Sequence, residues 1–397
     1  MMNRRTLFKG SAAVAAITAA SQGIPNALAA TEGPKRLSPR GHDGIMDRYP
    51  TLDLDSHNDM IAGIRKWNNG SLDSAAEARA AEIYNKHGIP LDSDLPMAQV
   101  IELVKDDPII ALSGYTWLDV QGIKWRNTLN AFESRADQYL AEMEAFDKAG
   151  PGTLELNPKM YMPGYTRMEI HQQPGGYVGN AFAGHIYHYA TNVSADRKND
   201  QDQNHMASAM STPLPKDGKV KRILDLGTSV GQFATSLKRR FPDAEVWAVD
   251  VGGPMVRYAH MRAVDMGVAV NFRQALAEDT HFPDNYFDMV VSNIMHHEVT
   301  AEGTKAIYRE AQRVLRPGGH YYPQDVYTHE PPPKSAMGKY KMFWTYRWNH
   351  EDWWLEWSEL DQEAEMKKAG LAVSRTPKTN ASGGFFRRGG NIVGTKV

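Results

Sequence analysis

From Val220 onward, short β-branched apolar runs alternate with stretches whose apolar residues recur every three or four positions. Runs of the first kind indicate buried strands, and the second spacing indicates helices with one apolar face. The pattern predicts seven strands, at residues 222–226, 245–250, 268–272, 287–292, 319–326, 371–374 and 391–394. It also predicts helices between the first five strands, at about 232–240, 254–266 and 301–314. Such alternation is typical of an α/β fold in which helices cover both faces of a mostly parallel sheet.

The first half of the chain follows a different pattern. Proline- and glycine-rich segments there separate helical patterns at residues 74–87, 97–105 and 128–149. A polar run at 192–204 predicts an exposed loop, and the segment 211–218 predicts a linker. We therefore predict a mainly helical N-terminal region at residues 30–215, which caps the substrate site, and an α/β domain at residues 216–397.

The first 29 residues are typical of a targeting segment. Arg4 and Arg5 precede an apolar stretch at 11–20, and small residues follow at 27–29. This arrangement resembles a twin-arginine (Tat) signal peptide, although Asn3 departs from its usual form. The resemblance implies the Tat export machinery as a partner and a periplasmic or exported location, with a cytoplasmic stage before export. The alternative is an ordinary N-terminus with a chance arginine pair.

The amino-acid composition limits the partners and reactions that the protein can have. Among the 397 residues, 45 Lys and Arg balance 47 Asp and Glu, so bulk charge does not favour binding to nucleic acid. The apolar stretch at 11–20 is too short for a stable membrane span in the mature chain. The absence of cysteine excludes disulfides, thiolate nucleophiles and cysteine-ligated metals. Carboxylates, imidazoles, hydroxyls or a bound cofactor must therefore carry any reaction.

Polar and glycine residues follow the predicted strands at their carboxyl ends. The first strand runs into a turn between Gly227 and Gly231, where glycine permits close approach of a ligand to the backbone. Asp250 ends the next strand, at the position where an acid accepts hydrogen bonds from ribose hydroxyls. The turn lacks the G-x-G-x-x-G pattern of pyrophosphate sites, and the upstream Asp225 suits a ligand with an amine and a carboxylate.

Four segments carry a family resemblance, at 223–231, 249–250, 282–299 and 314–320. In this order and spacing they resemble class I S-adenosylmethionine (SAM) dependent methyltransferases, most closely the small-molecule branch with quinone and sterol C-methyltransferases. The resemblance covers about residues 219–330. It implies a Rossmann-like, seven-stranded, mostly parallel sheet, SAM as cofactor, and methyl transfer to a small, hydrophobic or aromatic acceptor.

The resemblance also assigns the cofactor-binding residues. The methionyl part of SAM would lie against the turn after the first strand, the ribose against Asp250, and the adenine between Val251 and Met255. The full set is Asp225, Gly227, Thr228, Ser229, Gly231, Asp250, Val251, Met255, Ala277, Glu278 and Asn293. Two positions depart from the family. Ser229 replaces its middle glycine, and Leu276 replaces the acid that meets the adenine amine.

Three polar residues, His296, His297 and Glu298, follow the fourth strand of the α/β region. Open α/β sheets bind ligands at this edge, so any of the three could accept a proton from the acceptor. His296 matches the family's recurrent histidine. Methyl transfer from a sulfonium is an in-line displacement, and a base is needed only when the acceptor must lose a proton. The alternative is that one histidine caps the turn and the other is solvated.

Aromatic segments are the candidates for the acceptor site. Loops at 161–165 and 171–177 contain Tyr165, His171 and Tyr177, and such loops commonly cover a ligand cleft.

A tryptophan-rich segment at about 331–358 contains Trp344 and Trp348, which we interpret either as a lid over the acceptor or as helix packing. His185 and His188 could share a helical face toward a ligand or a metal, but no third ligand stands at a readable spacing, so we predict no metal site.

Three functions fit these features. The first is a SAM-dependent methyltransferase. The second is an exported, non-catalytic binding protein on a repurposed SAM-binding fold, because SAM is made in the cytoplasm and an exported enzyme would not meet it. The third is another SAM-dependent or nucleoside-handling enzyme on the same scaffold.

Overall fold

A computed structural model describes residues 40–195, 198–326, 328, 331–377 and 391–397. The predicted signal peptide lies outside the described residues. Residues 34–397 belong to one compact unit. The division into an N-terminal cap and an α/β domain stays a prediction.

An eight-stranded sheet organises the fold. Two short strands, β1 and β2, pair with each other apart from it. The strands in the described residues are β1 (His42–Asp43), β2 (Met46–Asp47), β3 (Gly152–Glu155), β4 (Arg222–Leu226), β5 (Glu245–Asp250), β6 (Val270–Gln274), β7 (Phe287–Asn293), β8 (Leu315–Gln324), β9 (Leu371–Arg375) and β10 (Ile392–Lys396). The order across the large sheet is β3-β6-β5-β4-β7-β8-β10-β9. The first six of these strands are mutually parallel, and β10 pairs antiparallel with both β8 and β9.

The predicted mostly parallel α/β sheet is confirmed, and its seven expected strands are β4 to β10. The eighth strand, β3, comes from the region where only helices were expected. It pairs in parallel with β6 at the edge of the sheet, and its residues are alternately half-buried and exposed. A four-residue strand with so little apolar burial has no hydrophobic pattern to mark it in the sequence.

Helices cover the sheet and build the N-terminal region. Those in the described residues are α1 (Leu52–Trp67), α2 (Asp73–Lys86), α3 (Met97–Val104), α4 (Pro108–Glu133), α5 (Ala136–Phe146), α6 (Ala183–Ser194), α7 (Gln203–Ser211), α8 (Gln232–Arg240), α9 (Gly253–Asp265), α10 (Ala301–Val314), α11 (Ala336–Trp348), α12 (Trp354–Glu359) and α13 (Gln362–Lys368). Asp107 begins α4, because its side chain accepts hydrogen bonds from Ile109 N and Ile110 N at 3.0 and 3.1 Å, and Pro108 follows it. No helix of the described residues has the length and apolarity to cross a bilayer.

Two apolar cores lie on opposite faces of the sheet. Successive residues of β4 belong to different cores, because neighbouring side chains of a strand point to opposite faces. Ile223 packs with α8 and α9, whereas Leu224 packs with α10 and α13. This double coverage explains why the strand sequences are apolar throughout.

The N-terminal helices contribute to three further apolar clusters among the described residues, the smallest of which joins α1, α4 and α6. A second joins α4, α5 and α6 to α9, with Tyr258 of α9 lying against Gly184 of α6. In the third, α11 packs against α2, α3 and α4. The run at 192–204 differs from the exposed loop that its polarity predicted. Asp202 in this run is fully buried, because it forms an ion pair with the buried Arg262 of α9.

Candidate active site

A cavity of about 340 Å³ opens at the carboxyl ends of β4, β5 and β7. The chain runs from β4 to β5 and β6 in one direction across the sheet, and β7 and β8 lie on the other side of β4. Ligands of open α/β sheets bind at such a reversal of strand order. The lining residues that matter below are Tyr165, Tyr177, Tyr187, Asp225, Gly227, Thr228, Ser229, Asp250, Val251, Met255, Leu276, Ala277, Glu278, Asn293, Met295 and Glu298.

The turn after β4 forms one wall of this cavity. Gly227 and Ser229 both have left-handed backbone conformations, with φ of 64° and 53°. The Thr228 hydroxyl donates a hydrogen bond of 2.7 Å to Asp225 Oδ2, while Asp225 Oδ1 is buried without a hydrogen-bond partner among the described residues. Burial raises the pKa of Asp225 to about 7, although the Thr228 hydroxyl opposes this shift. The turn therefore offers a carboxylate oxygen to a cationic ligand group.

Replacing Gly227 by alanine is expected to destabilise this turn. A Cβ atom there would lie 2.5 Å from Met295 Sδ, and its φ of 64° already disfavours any side chain. Gly267 is the matched control, because its φ is 65° and a Cβ atom would meet nothing within 4 Å. We expect Gly267→Ala to lower the free energy of unfolding by about 1 kcal/mol and Gly227→Ala by about 2–3 kcal/mol. Equal losses in chemical denaturation would contradict the close packing of Gly227 against Met295.

Asp250 connects two turns at the end of β5. Its Oδ2 accepts a hydrogen bond from Ser229 N and its Oδ1 accepts one from Gly252 N, each at 2.8 Å. Burial raises the pKa of Asp250 to about 6, the two backbone N–H groups oppose this, and the charge of Glu298 adds to it. These contacts fix the carboxylate at the cavity wall, as the family resemblance implied.

The side of the cavity assigned to adenine is less polar than the family pattern. Leu276 lines it where that family carries an acid, and Ala277 and Glu278 follow. Glu278 is not free to bind a ligand on all sides, because the Tyr165 hydroxyl donates a hydrogen bond to its Oε1. Burial raises the pKa of Glu278.

Gly231 is one assigned cofactor residue that does not line the cavity. A Cβ atom there would lie 2.9 Å from the Phe272 ring and 3.0 Å from Ala259 Cβ. Gly231 therefore allows α8 to pack closely on the sheet and on α9, and it contributes to the cavity only through the turn that it ends.

Of the candidates His296, His297 and Glu298, only Glu298 lines the cavity. The Tyr177 hydroxyl donates to its Oε1 at 3.0 Å, and His171 Nε2 lies 2.9 Å from the same oxygen. His171 and Tyr177 were both assigned to the acceptor. The structure brings them together on Glu298, with Tyr177 at the cavity and His171 behind it.

His297 lies behind Glu298 and is almost fully buried. Its Nδ1 contacts Asp325 Oδ1 at 2.7 Å. Burial acts to lower the pKa of His297, but Asp325 outweighs it and raises that pKa to about 9. In His171 the same competition occurs between burial and the carboxylates of Glu351 and Glu298, and the pKa rises to about 10.

The structure does not bring His296 to the cavity. Its imidazole is fully buried, with Nε2 2.5 Å from the Tyr321 hydroxyl and Nδ1 3.3 Å from Thr304 Oγ1. The ring stacks on Trp357 at 5.2 Å, and burial lowers the pKa of His296 to about 4. The side chain packs in this core, so the expectation that His296 leads as a proton acceptor is corrected, and of the three candidates Glu298 is the one at the cavity.

The two halves of the tryptophan-rich segment pack against different parts of the protein. Trp344 is buried against Trp117 at 4.7 Å, and Trp348 is exposed beside Phe343, so neither lines the cavity. Packing of α11 against α2, α3 and α4 accounts for the burial of Trp344, in place of the expected lid contact. The second half lies nearer to Glu298 and His297, and the ring of Trp354 packs against His297 at 5.1 Å.

Other residues at the site were not predicted. Tyr187 of α6 lines the cavity, and Asp325 and Glu351 hold the two histidines. Asp325 directly follows β8, so the rule that polar residues after parallel strands form sites could have identified it. Glu351 gave no such signal, because acidic residues next to tryptophans are usually solvated. His185 and His188 pack on Tyr258. This arrangement matches the interpretation of the pair as packing residues.

Known proteins match this chain within its α/β region. Residues 223–319 match the family model described as "Methyltransferase domain". The demethylmenaquinone methyltransferase of Thermus thermophilus is 42% identical over 118 residues, which are 30% of this chain and 51% of that protein. The ubiquinone/menaquinone biosynthesis C-methyltransferase UbiE of Cupriavidus pinatubonensis is 33% identical over 99 residues, covering 25% of this chain and 40% of that protein.

Among solved structures, the Haemonchus contortus phosphoethanolamine N-methyltransferase 2 aligns with a TM-score of 0.35 at 21% identity, over 44% of this chain and 39% of that chain. The chain spans about half the length, or less, of the curated relatives it matches. The likeness therefore concerns the part of the α/β region that carries the cavity.

Proposed function

We propose that the protein is a SAM-dependent methyltransferase acting on a small, hydrophobic or aromatic acceptor. One observation carries this proposal: within residues 223–319, which match the methyltransferase-domain model, the cavity wall combines a turn of left-handed backbone conformation with two carboxylates, Asp225 and Asp250. A methyl donor with an ammonium group, a sulfonium and a ribose suits this wall. The buried, unpartnered Oδ1 of Asp225 is the acceptor that an ammonium group requires.

The bound SAM supplies an electrophilic methyl group. Asp225 and the backbone of residues 227–229 would hold its methionyl end, and Asp250 would accept hydrogen bonds from its ribose. Leu276 and Met255 give the remaining surface an apolar character, which fits an adenine ring. Because positive charge disperses as the methyl group moves, the chain's main tasks are to align the acceptor and exclude water.

We assign the proton from the acceptor to Glu298, which lines the cavity and lies outside the turn and strand end that would hold the donor. Its Oε1 is fixed by Tyr177 and His171, so the carboxylate cannot turn away from the cavity. Three tyrosines, Tyr165, Tyr177 and Tyr187, line the cavity on the side of the N-terminal region. Aromatic walls favour a flat acceptor. Two relatives are named a demethylmenaquinone methyltransferase and a ubiquinone/menaquinone biosynthesis C-methyltransferase, and these names support a quinol-like or other hydroxylated aromatic acceptor.

The affinity for SAM is expected to depend on pH. Asp250 has a pKa of about 6 and Asp225 of about 7, and their ionised forms accept stronger hydrogen bonds from the donor than their protonated forms do. Affinity should therefore be full above both pKa values and should fall as the pH decreases through 7 and 6, by about tenfold per pH unit at most for each group. Glu298 is the charged neighbour that adds to the Asp250 shift.

Titration calorimetry between about pH 5 and pH 8 measures this dependence. In Asp250→Asn the portion near pH 6 should disappear, while the portion due to Asp225 remains. An affinity that does not change over this range would contradict the assignment of the two carboxylates.

We also propose that residues 1–29 direct export through the Tat machinery and that the protein acquires its donor before export. The adjacent Arg4 and Arg5 support this. If a variant with lysine at both positions is exported as efficiently as the wild type, this proposal is contradicted. The non-catalytic alternative remains distinguishable, because in that case SAM would not raise the melting temperature.

A further inference from the structure

A group of five polar side chains lies at the inner end of the cavity. We call His171, His297, Glu298, Asp325 and Glu351 the inner cluster. Glu298 is the member that lines the cavity, and the side chains of His297, Asp325 and Glu351 are at most 3% exposed. Even when both imidazoles are protonated, three carboxylates leave a net negative charge in this group, and burying a charge is unfavourable unless it is compensated.

Three members point donor atoms at one position. A nitrogen of His171, a nitrogen of His297 and an oxygen of Glu298 all lie within 4.8 Å of one another. His297 Nε2 is 3.8 Å from Glu298 Oε1, which is too long for a hydrogen bond. Two protein ligands of a four-coordinate ion, each about 2.0–2.2 Å from it, lie roughly 3.3–3.6 Å apart. The other pair, His171 Nε2 and Glu298 Oε1, is 2.9 Å apart, so the two separations lie on either side of the spacing expected around an ion.

Carboxylates hold the opposite nitrogens of both rings. Asp325 Oδ1 contacts His297 Nδ1 at 2.7 Å, and Glu351 Oε1 contacts His171 Nδ1 at 2.8 Å. A carboxylate on the far nitrogen is the usual support of a metal-binding histidine, because it fixes the ring and leaves the other nitrogen's lone pair for the ion. His171 itself has a left-handed backbone conformation, with φ of 58°, which is uncommon for residues other than glycine.

A separate observation points to a missing cation. Glu351 Oε2 is buried and has no hydrogen-bond partner among the described residues. It faces His297 Nε2 at 4.0 Å. A buried carboxylate oxygen without a partner is rare and unfavourable, and a positive charge between the two imidazoles would compensate it.

We propose that His171, His297 and Glu298 bind a divalent transition-metal ion, with Glu298 Oε1, the oxygen near both imidazoles, as the ligand and the other carboxylate oxygen left to take the acceptor's proton. Two imidazoles favour zinc, iron, cobalt or nickel over magnesium or calcium. Three protein ligands leave one coordination position open, as in catalytic rather than structural sites. Because Glu298 lines the cavity, that position faces the acceptor side. The consequence for the acceptor rests on the proposed function: a hydroxyl or enol oxygen of the acceptor would bind the ion, which selects oxygen-bearing acceptors.

The test is a titration of the full-length protein, freed of metal by a chelator, with Zn²⁺ or Co²⁺ alone. We expect one ion per chain and, for Co²⁺, the visible absorption of a low-coordinate site. His171→Gln and Glu298→Gln should each weaken binding by about 100-fold or more. His281→Gln is the matched control, because this imidazole is exposed and contacts Asp279 at 3.0 Å, outside the inner cluster. Melting temperatures establish that each variant is folded.

Two results would overturn the proposal: the absence of stoichiometric binding in the wild type, or affinities in His171→Gln and Glu298→Gln that equal that of His281→Gln. The donor residues lie elsewhere in the cavity, so SAM should bind to the metal-free protein as well. Metal binding without SAM binding would therefore refute the proposed function alone, and SAM binding without metal binding would refute this inference alone.

Discussion

Replacing Glu298 by glutamine is expected to reduce methyl transfer by about 10²–10⁴-fold for an acceptor that must lose a proton. Glutamine keeps the size of the side chain and can still accept the hydrogen bond from Tyr177, but it cannot hold the proton. Because Glu298 does not belong to the turn or the strand end that would hold the donor, the affinity for SAM should stay close to that of the wild type. Transfer of radiolabelled methyl groups to a panel of hydroxylated aromatic acceptors, quinols included, measures the loss.

Glu302→Gln is the matched control for this variant. Glu302 is 81% exposed, lies in the first turn of α10 and pairs with Lys305, so the same loss of charge should leave methyl transfer unchanged. Full activity of Glu298→Gln would contradict its role in proton transfer. A large loss of SAM affinity in the same variant would show that Glu298 belongs to the donor site instead.

The second large effect is expected at Asp250. Its replacement by alanine should weaken SAM binding by about 1–3 kcal/mol, or roughly 5–150-fold, because hydrogen bonds to a charged acceptor are lost. The side chain also accepts hydrogen bonds from Ser229 N and Gly252 N, so its loss loosens two turns at the cavity. Calorimetric titration of SAM into each variant measures the change in affinity, and thermal unfolding measures the change in stability.

Two further variants separate these contributions. Asp243→Ala removes a carboxylate just before the start of β5, at the opposite end of the strand, and should leave SAM affinity unchanged. Asp250→Asn keeps the side-chain volume and one of the two acceptor oxygens, so it should lose less stability than Asp250→Ala and still bind SAM more weakly than the wild type. Wild-type affinity in both Asp250 variants would exclude the assigned ribose site.

Sequence patterns predicted the parts of the fold that depend on local signals. The apolar runs of β4, β5 and β7 are buried on both faces of the sheet, so their strand character is visible in the sequence itself. The residues that follow these strands could be assigned to one site, because parallel strands bring their carboxyl ends to the same edge. Asp225, Asp250 and Glu298 all line the cavity for this reason.

Features that depend on contacts between distant segments were not accessible in this way. His296 and His297 are adjacent in the chain and follow the same strand, yet one packs against Trp357 and the other against Asp325. Nothing local distinguishes them. In the same way Trp344 belongs to a regular helical stripe, and only the position of α2 and α4 determines that it packs away from the cavity. The partners of His171 come from segments more than a hundred residues away.

The most direct measurement of the central claim is calorimetric titration of SAM, and of its demethylated product, into the full-length wild-type protein beside Asp250→Ala. We expect both ligands to bind the wild type with micromolar affinity and to bind Asp250→Ala about 5–150-fold more weakly. Absence of binding to a folded wild-type protein, or equal affinity of the two proteins, would contradict the central claim.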